Sequence, residues 1–330
     1  MAFTALIDVD SLRAAAPGTV ILDCRFDLSD PAAGRRAYAR AHIPGARYAD
    51  LDRDLSSPVT PDSGRHPLPA PEALAGYLAR AGIGKHTQVI VYDEANGAFA
   101  ARAWWLLRWL GHESVAVLDG GFRAWTAAGA PTIGAPTTDA PTTGAPTTGA
   151  PPGNAPTAGS PTPGDPAGDA LAGGMPLESG HPPAAISGTP PSFAVRLRPE
   201  AVLHAAQVSR ALEDPRRRLV DARAPERFAG TVEPLDPVAG HVPGAVNHPF
   251  TGNLTEDGRF LPPVELRRRW LERLHGTQPS DAIMMCGSGV TACHNLLALE
   301  VAGLTGAKLY AGSWSEWIRD PQRPVARGPL

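Results

Sequence analysis

The stretch Ala282-Ile-Met-Met-Cys286-Gly-Ser-Gly-Val-Thr-Ala-Cys293 passes from an apolar run through a glycine-bracketed loop into a helical pattern. The unbroken apolar run 282–285 reads as a strand buried on both faces. Gly287 and Gly289 let the backbone bend tightly around residue 286, and 290–302 reads as the helix that follows. Strand, loop and helix in that order belong to a parallel sheet covered by helices. In such sheets ligands sit beyond the carboxyl ends of the strands, so the site is expected just after Met285.

Outward from this unit the alternation continues. Residues 218–221 and 307–310 read as further strands, with a helix over 263–274. Nearer the N-terminus, 20–22, 89–92 and 115–118 read as strands and 71–81 and 98–110 as helices, Pro71 suiting a first helical turn. The two halves also repeat each other in letters. Val20-Ile-Leu-Asp-Cys-Arg25 answers Leu219-Val-Asp-Ala-Arg223, His42-Ile-Pro-Gly-Ala46 answers His241-Val-Pro-Gly-Ala245, and Leu118-Asp-Gly-Gly-Phe-Arg-Ala-Trp125 answers Tyr310-Ala-Gly-Ser-Trp-Ser-Glu-Trp317. Such matches mark one unit duplicated with small loop changes. The histidines before each Pro-Gly read as turn structure.

Between the halves lies a tract of another kind. Residues 131–190 hold 14 of the 36 prolines and 11 of the 35 glycines, with Ala-Pro-Thr-Thr repeated from Ala135, Ala140 and Ala145. A tract without a periodic apolar face cannot offset its ordering entropy, so it reads as a disordered tether without chemistry of its own. The expected domains are therefore 1–130, a non-catalytic copy; 131–190, a low-complexity linker; and 191–330, a catalytic copy. The fold class is α/β, each copy a parallel sheet flanked by helices.

Composition narrows the function. The formal net charge of −3 and 6% aromatic content give no support for a nucleic-acid partner. No apolar run approaches the ~18 residues of a membrane span, and the first residues lack a secretory pattern. Three cysteines, Cys24, Cys286 and Cys293, make no disulfide framework and suit a reducing cytoplasm. Metal-ligand spacing, a phosphate loop and a dinucleotide fingerprint are lacking, so no metal or other cofactor is expected.

Cys286 is the candidate nucleophile. Amides turned inward by the loop, with the positive end of the next helix, favour a thiolate there, and a thiolate is the species that attacks sulfur. A cysteine phosphatase would place an arginine six positions after the cysteine to clamp phosphate, but Ala292 stands there. Cys293 and Cys24 read as buried and inert.

Cys286-Gly-Ser-Gly-Val-Thr-Ala292 followed by Gly312-Ser-Trp-Ser-Glu-Trp317 resembles the tandem-domain rhodanese family of sulfurtransferases, and within it the 3-mercaptopyruvate sulfurtransferase branch. The resemblance spans both flanks of the linker and implies a catalytic second copy only. Aligning Gly97-Ala-Phe-Ala100 with Gly289-Val-Thr-Ala292 puts Glu94 where Cys286 stands, and a carboxylate cannot carry a sulfane sulfur. It further implies that Cys286 takes sulfur from a small anionic donor as a persulfide, then yields it to a thiol, a thioredoxin-like protein or cyanide. Arg227 would bind the donor's carboxylate, and the loop residues Gly287, Gly289, Val290 and Thr291 would cradle the transferred group. Ser288 would join His66 and Asp52 of the first copy in a proton relay to the pyruvate enolate. Arg223, matched by Arg25 in the inactive copy, is expected to be structural.

The branch typically carries a second donor-binding arginine before the His-Val-Pro-Gly motif, and Glu233-Pro-Leu-Asp-Pro-Val238 offers none. Thiosulfate:cyanide sulfurtransferase chemistry, a persulfide carrier serving a protein partner, and a non-catalytic binding module remain open at this point. A monomer is expected.

Overall fold

The computed structural model describes residues 2–94, 96–134 and 193–328. The first copy carries strands β1 (Leu6–Ile7), β2 (Val20–Asp23), β3 (Arg47–Tyr48), β4 (Val89–Tyr92) and β5 (Val115–Leu118). Its helices are α1 (Val9–Arg13), α2 (Ala33–Arg40), α3 (Pro71–Arg80), α4 (Ala100–Trp109) and α5 (Gly121–Ala127). The second copy has β6 (Val202–Leu203), β7 (Arg218–Asp221), β8 (Val246–Asn247), β9 (Ala282–Met285) and β10 (Lys308–Tyr310). Its helices are α6 (Ala205–Ala211), α7 (Pro225–Ala229), α8 (Pro263–Leu274), α9 (Thr291–Val301) and α10 (Ser313–Trp317).

Each copy forms a five-stranded sheet, ordered β1-β5-β4-β2-β3 and β6-β10-β9-β7-β8, with every pairing parallel. The identical order confirms the duplication. β4 and β9 are central strands, buried along their whole length, which is why they read as unbroken apolar runs.

Alternation along the strands divides the core. Ile90, Tyr92, Ala116 and Leu118 face a cluster confined to the first copy, and Ile283 and Met285 face one confined to the second. Their neighbours Val89, Val91, Ala282 and Met284 face a third cluster common to both copies. Helices α4 and α9 lie in this shared layer, and α4 is buried nearly all round. Both sheets therefore belong to one compact unit.

Of the expected linker 131–190, residues 131–134 join the first copy: Ile133 exchanges backbone hydrogen bonds with His42, and Trp125 Nε1 donates to the Pro131 carbonyl. The remainder lies outside the described residues. Among the described residues no helix is long and apolar enough to cross a membrane.

Candidate active site

Cys286 follows the last residue of β9 and is 2% exposed. Four hydrogen bonds fix its loop. The Cys286 amide donates to Ser313 Oγ at 3.0 Å; Trp314 N donates to the Cys286 carbonyl at 3.0 Å, and Ser315 N to the Gly287 carbonyl at 2.9 Å. Gly289 N donates to Cys286 Sγ at 3.1 Å. Gly289 has φ 78°, and a Cβ there would stand 2.3 Å from the Ala311 carbonyl oxygen. The sequence must therefore place glycine at 289. Val290 is buried and Thr291 opens α9, whose first amides have no partner within the helix.

The first copy reaches into this loop through residues 63–67. Arg65 N donates to Ser315 Oγ at 3.0 Å. His66 Nδ1 lies 2.7 Å from Ser288 Oγ, and its Nε2 lies 3.4 Å from Asp52 Oδ1. The three side chains expected to form a relay thus stand in sequence, spanning both copies. Burial pushes His66 down to about 3, aided by the nearby charges of Arg102 and Arg65, so its imidazole is neutral across the physiological range. Burial and the neighbouring Asp50 raise the Asp52 carboxyl.

Two guanidinium groups close over Gly287. A Cβ at that glycine would lie 2.9 Å from Arg65 Nη2 and 3.4 Å from Arg227 Nη1. Arg227 is already engaged, to Glu233 at 2.7 Å and to Asp236 at 3.0 Å, and Asp236 also pairs with Arg65. The segment in which the sequence offered no second arginine instead supplies two acids, and the other guanidinium over Gly287, that of Arg65, comes from the first copy. Burial raises the Asp236 carboxyl against the pull of Arg65. Arg223 pairs with Asp221 and donates to the Gly240 carbonyl, as Arg25 pairs with Asp23 and donates to the Ala41 carbonyl. That matched pairing in both copies is a structural arrangement.

One sequence expectation is corrected. Asp23 pairs with Tyr92 and Asp221 with Met285, so the residue after each strand is Asp93 in the first copy and Cys286 in the second. Asp93, not Glu94, occupies the cysteine's place. The first copy has one residue more between that position and its left-handed glycine, Gly97 at φ 72°, so counting back from the glycine lands on Glu94. Asp93 accepts the amides of Gly97, Phe99 and Ala100 at 3.0, 2.9 and 3.1 Å. Cys293 and Cys24 are buried; burial pushes the Cys293 thiol up to about 12 and also raises that of Cys24.

Sequence reasoning did not find Arg65 or Ser313. Arg65 adjoins His66, so the choice of His66 already placed it beside the loop. Ser313 has φ 55°, unusual for a residue with a Cβ, and replaces Gly121 of the first copy, which has φ 58°. That substitution within the repeated Gly-Gly/Gly-Ser motif was the available signal.

Comparison with known proteins follows the same duplication. The model of the rhodanese-like domain matches residues 8–128 and again 204–320. The chain belongs to the rhodanese-like family. This tandem rhodanese-like protein is 46% identical over 318 residues to a Pseudomonas aeruginosa protein named "Probable 3-mercaptopyruvate sulfurtransferase", covering 96% of this chain and 95% of that one. It is 32% identical to the thiosulfate sulfurtransferase of Bos taurus, with 97% and 93% covered. Among solved structures it is similar to SseA of Escherichia coli, described as a 3-mercaptopyruvate sulfotransferase, at TM-score 0.68 and 29% identity, covering 95% and 100%. The rhodanese-like chain is a sulfurtransferase.

Proposed function

We propose that this enzyme transfers sulfane sulfur from 3-mercaptopyruvate through a persulfide on Cys286 to a small thiol, a thioredoxin-like protein or cyanide. The observation that carries the reading is the 2.7 Å contact between Ser288 Oγ and His66 Nδ1, with Asp52 behind it. Attack by Cys286 forms a sulfur–sulfur bond as the donor's carbon–sulfur bond breaks, and the electron pair stays on carbon as the enolate of pyruvate. That enolate needs a proton, and the proton given up by Cys286 balances it. Ser288 and His66 are placed to carry it, and the neutral imidazole can accept one proton and return it. Gly289 N steadies the sulfur, and Arg227 and Arg65 attract the donor's carboxylate. A thiol or cyanide then removes the outer sulfur and restores Cys286.

Thiosulfate is a second donor, which the two guanidinium groups that converge over Gly287 could receive by exchanging their Glu233 and Asp236 partners for it. Its leaving group, sulfite, departs as a stable anion and needs no proton. The donors are therefore separable: Ser288→Ala and His66→Ala should each lower kcat with mercaptopyruvate by about a hundredfold, leaving thiosulfate within about threefold. Cys286→Ser should abolish both reactions. Turnover that survives Cys286→Ser overturns the reading, and equal losses with both donors remove the relay from it. The three buried free cysteines fit an enzyme of a reducing compartment such as the cytoplasm.

A further inference from the structure

Arg102 lies on α4 of the inactive copy and is completely buried. Among the described residues no carboxylate pairs with it, and its Nε has no hydrogen-bond partner. A buried cation without a counter-ion is costly, and the usual resolution is an ion pair. Here the fork instead meets carbonyl groups of the active site. Nη1 donates to the Gly289 carbonyl at 3.2 Å, and Nη2 donates to the carbonyls of His66 at 3.1 Å and Pro67 at 3.4 Å. Gly289 is thus held on both sides: its N–H points to Cys286 Sγ while its carbonyl takes Arg102 and the Cys293 thiol. Burial pushes the ionisation of Arg102 down, and the Cys293 and Cys286 thiols pull it back up.

The repeat supplies a control within the same molecule. Gly97 and Gly289 correspond, so Arg102 on α4 corresponds to His294 on α9. His294 Nε2 reaches back across the boundary to the Asn96 carbonyl at 3.0 Å. Each copy therefore extends one side chain, from the same helical position, onto the strand-to-helix loop of the other. A histidine neutralised by burial, at about 3, serves the loop that contains Asp93, whereas a cation serves the loop that contains Cys286.

We propose that Arg102 is a positioning residue for the sulfur transfer: it holds Gly289 on the cysteine and His66 on Ser288, and its uncompensated charge favours the anionic sulfur. This inference rests on Cys286 being the nucleophile. Among the described residues, the charged or titratable groups around the Cys286 loop include Arg65 and His66 from 63–67 with Asp52 behind His66, Arg227 with Glu233 and Asp236, Arg102 from α4, Cys293 from α9 and Glu316 from α10.

The test compares Arg102→Met and Arg102→Lys with wild type in kcat, KM, thermal midpoint and the pH dependence of Cys286 alkylation by iodoacetamide. Replacing Arg102 by Met removes the cost of an unpaired buried charge but leaves the Gly289, His66 and Pro67 carbonyls without their donor, two effects of opposite sign. Arg102→Met should therefore move the thermal midpoint little while kcat falls about tenfold with little change in KM. Its alkylation midpoint should move up by about one pH unit, a tenfold change in reactivity. Arg102→Lys keeps the charge but cannot span both sets of carbonyls, so its alkylation profile should stay near wild type while kcat falls. A residue that merely fills the core would not separate stability from reactivity in this way. Wild-type alkylation and kcat in Arg102→Met overturn the proposal, as do losses that track the folded fraction by circular dichroism. If Arg102→Met does not fold, a wild-type kcat in Arg102→Lys overturns it. An unreactive Cys286 in the wild type would instead defeat the proposed function.

Discussion

At His66 burial and two neighbouring cations outweigh the Asp52 carboxylate, and the imidazole stays neutral. Burial acts likewise on His294, at about 3, and on His248, at about 4. In the unfolded chain these groups titrate near 6.5, so below that pH the unfolded state binds more protons. Their contribution is fully present above pH 6.5 and is lost as pH falls towards their folded values, by up to about 1.4 kcal/mol per histidine per unit. The raised carboxyls of Asp54, Asp119 and Asp236 act in the opposite sense, nearer their ordinary range around 4. The clean window is therefore pH 7.5 to 5.5, over which the urea midpoint should fall; a flat profile would contradict the assignment. Ser313 gives a second test at this scale. Its Oγ accepts the Cys286 amide and donates to the Tyr310 carbonyl, at the cost of a left-handed backbone. Ser313→Gly relieves strain of about 1 kcal/mol but leaves the Cys286 amide without its partner, so the thermal midpoint should move little while kcat falls.

The strand–loop–helix elements show how far the letters could be read. β7, α8 and β9 fall on the expected residues because a buried strand is an apolar run and a proline opens α8. The Cys286 loop was legible because Gly289 must adopt a left-handed conformation. Asp93 was missed because one inserted residue shifts the alignment between strand and glycine. Arg65 and Arg102 were missed because each acts on the other copy, and separation along the chain conceals the contact. Two glycines should separate in mutation. At Gly289→Ala the new Cβ meets backbone at 2.3 Å, so we expect a loss of more than about 1 kcal/mol of stability together with activity. At Gly287→Ala it meets the mobile end of Arg65, so KM for an anionic donor should rise with little change in the denaturation midpoint. Replacement of Asp93 by Ala leaves three amides without their acceptor and should cost about 2 kcal/mol of stability, while kcat per folded molecule holds.

Over the whole molecule, the shared apolar layer around α4 and α9 makes the copies one folding unit. Expressed alone, 2–134 or 193–328 would expose that layer, and we expect neither to give a sharp unfolding transition. Mixed, they should recover activity; full activity from 193–328 alone would contradict the roles assigned to Arg65, His66 and Arg102. The first copy carries an acid where the second carries Cys286. The carboxylate oxygens of Asp93 stand as many bonds from the backbone as the outer sulfur of a persulfide on Cys286 would. They are met by the amides of Phe99 and Ala100, whose counterparts are those of Thr291 and Ala292. On the proposed persulfide mechanism Asp93 is thus a carboxylate cast of the loaded enzyme, and its amide contacts are a template for where the outer sulfur would rest between donor and acceptor.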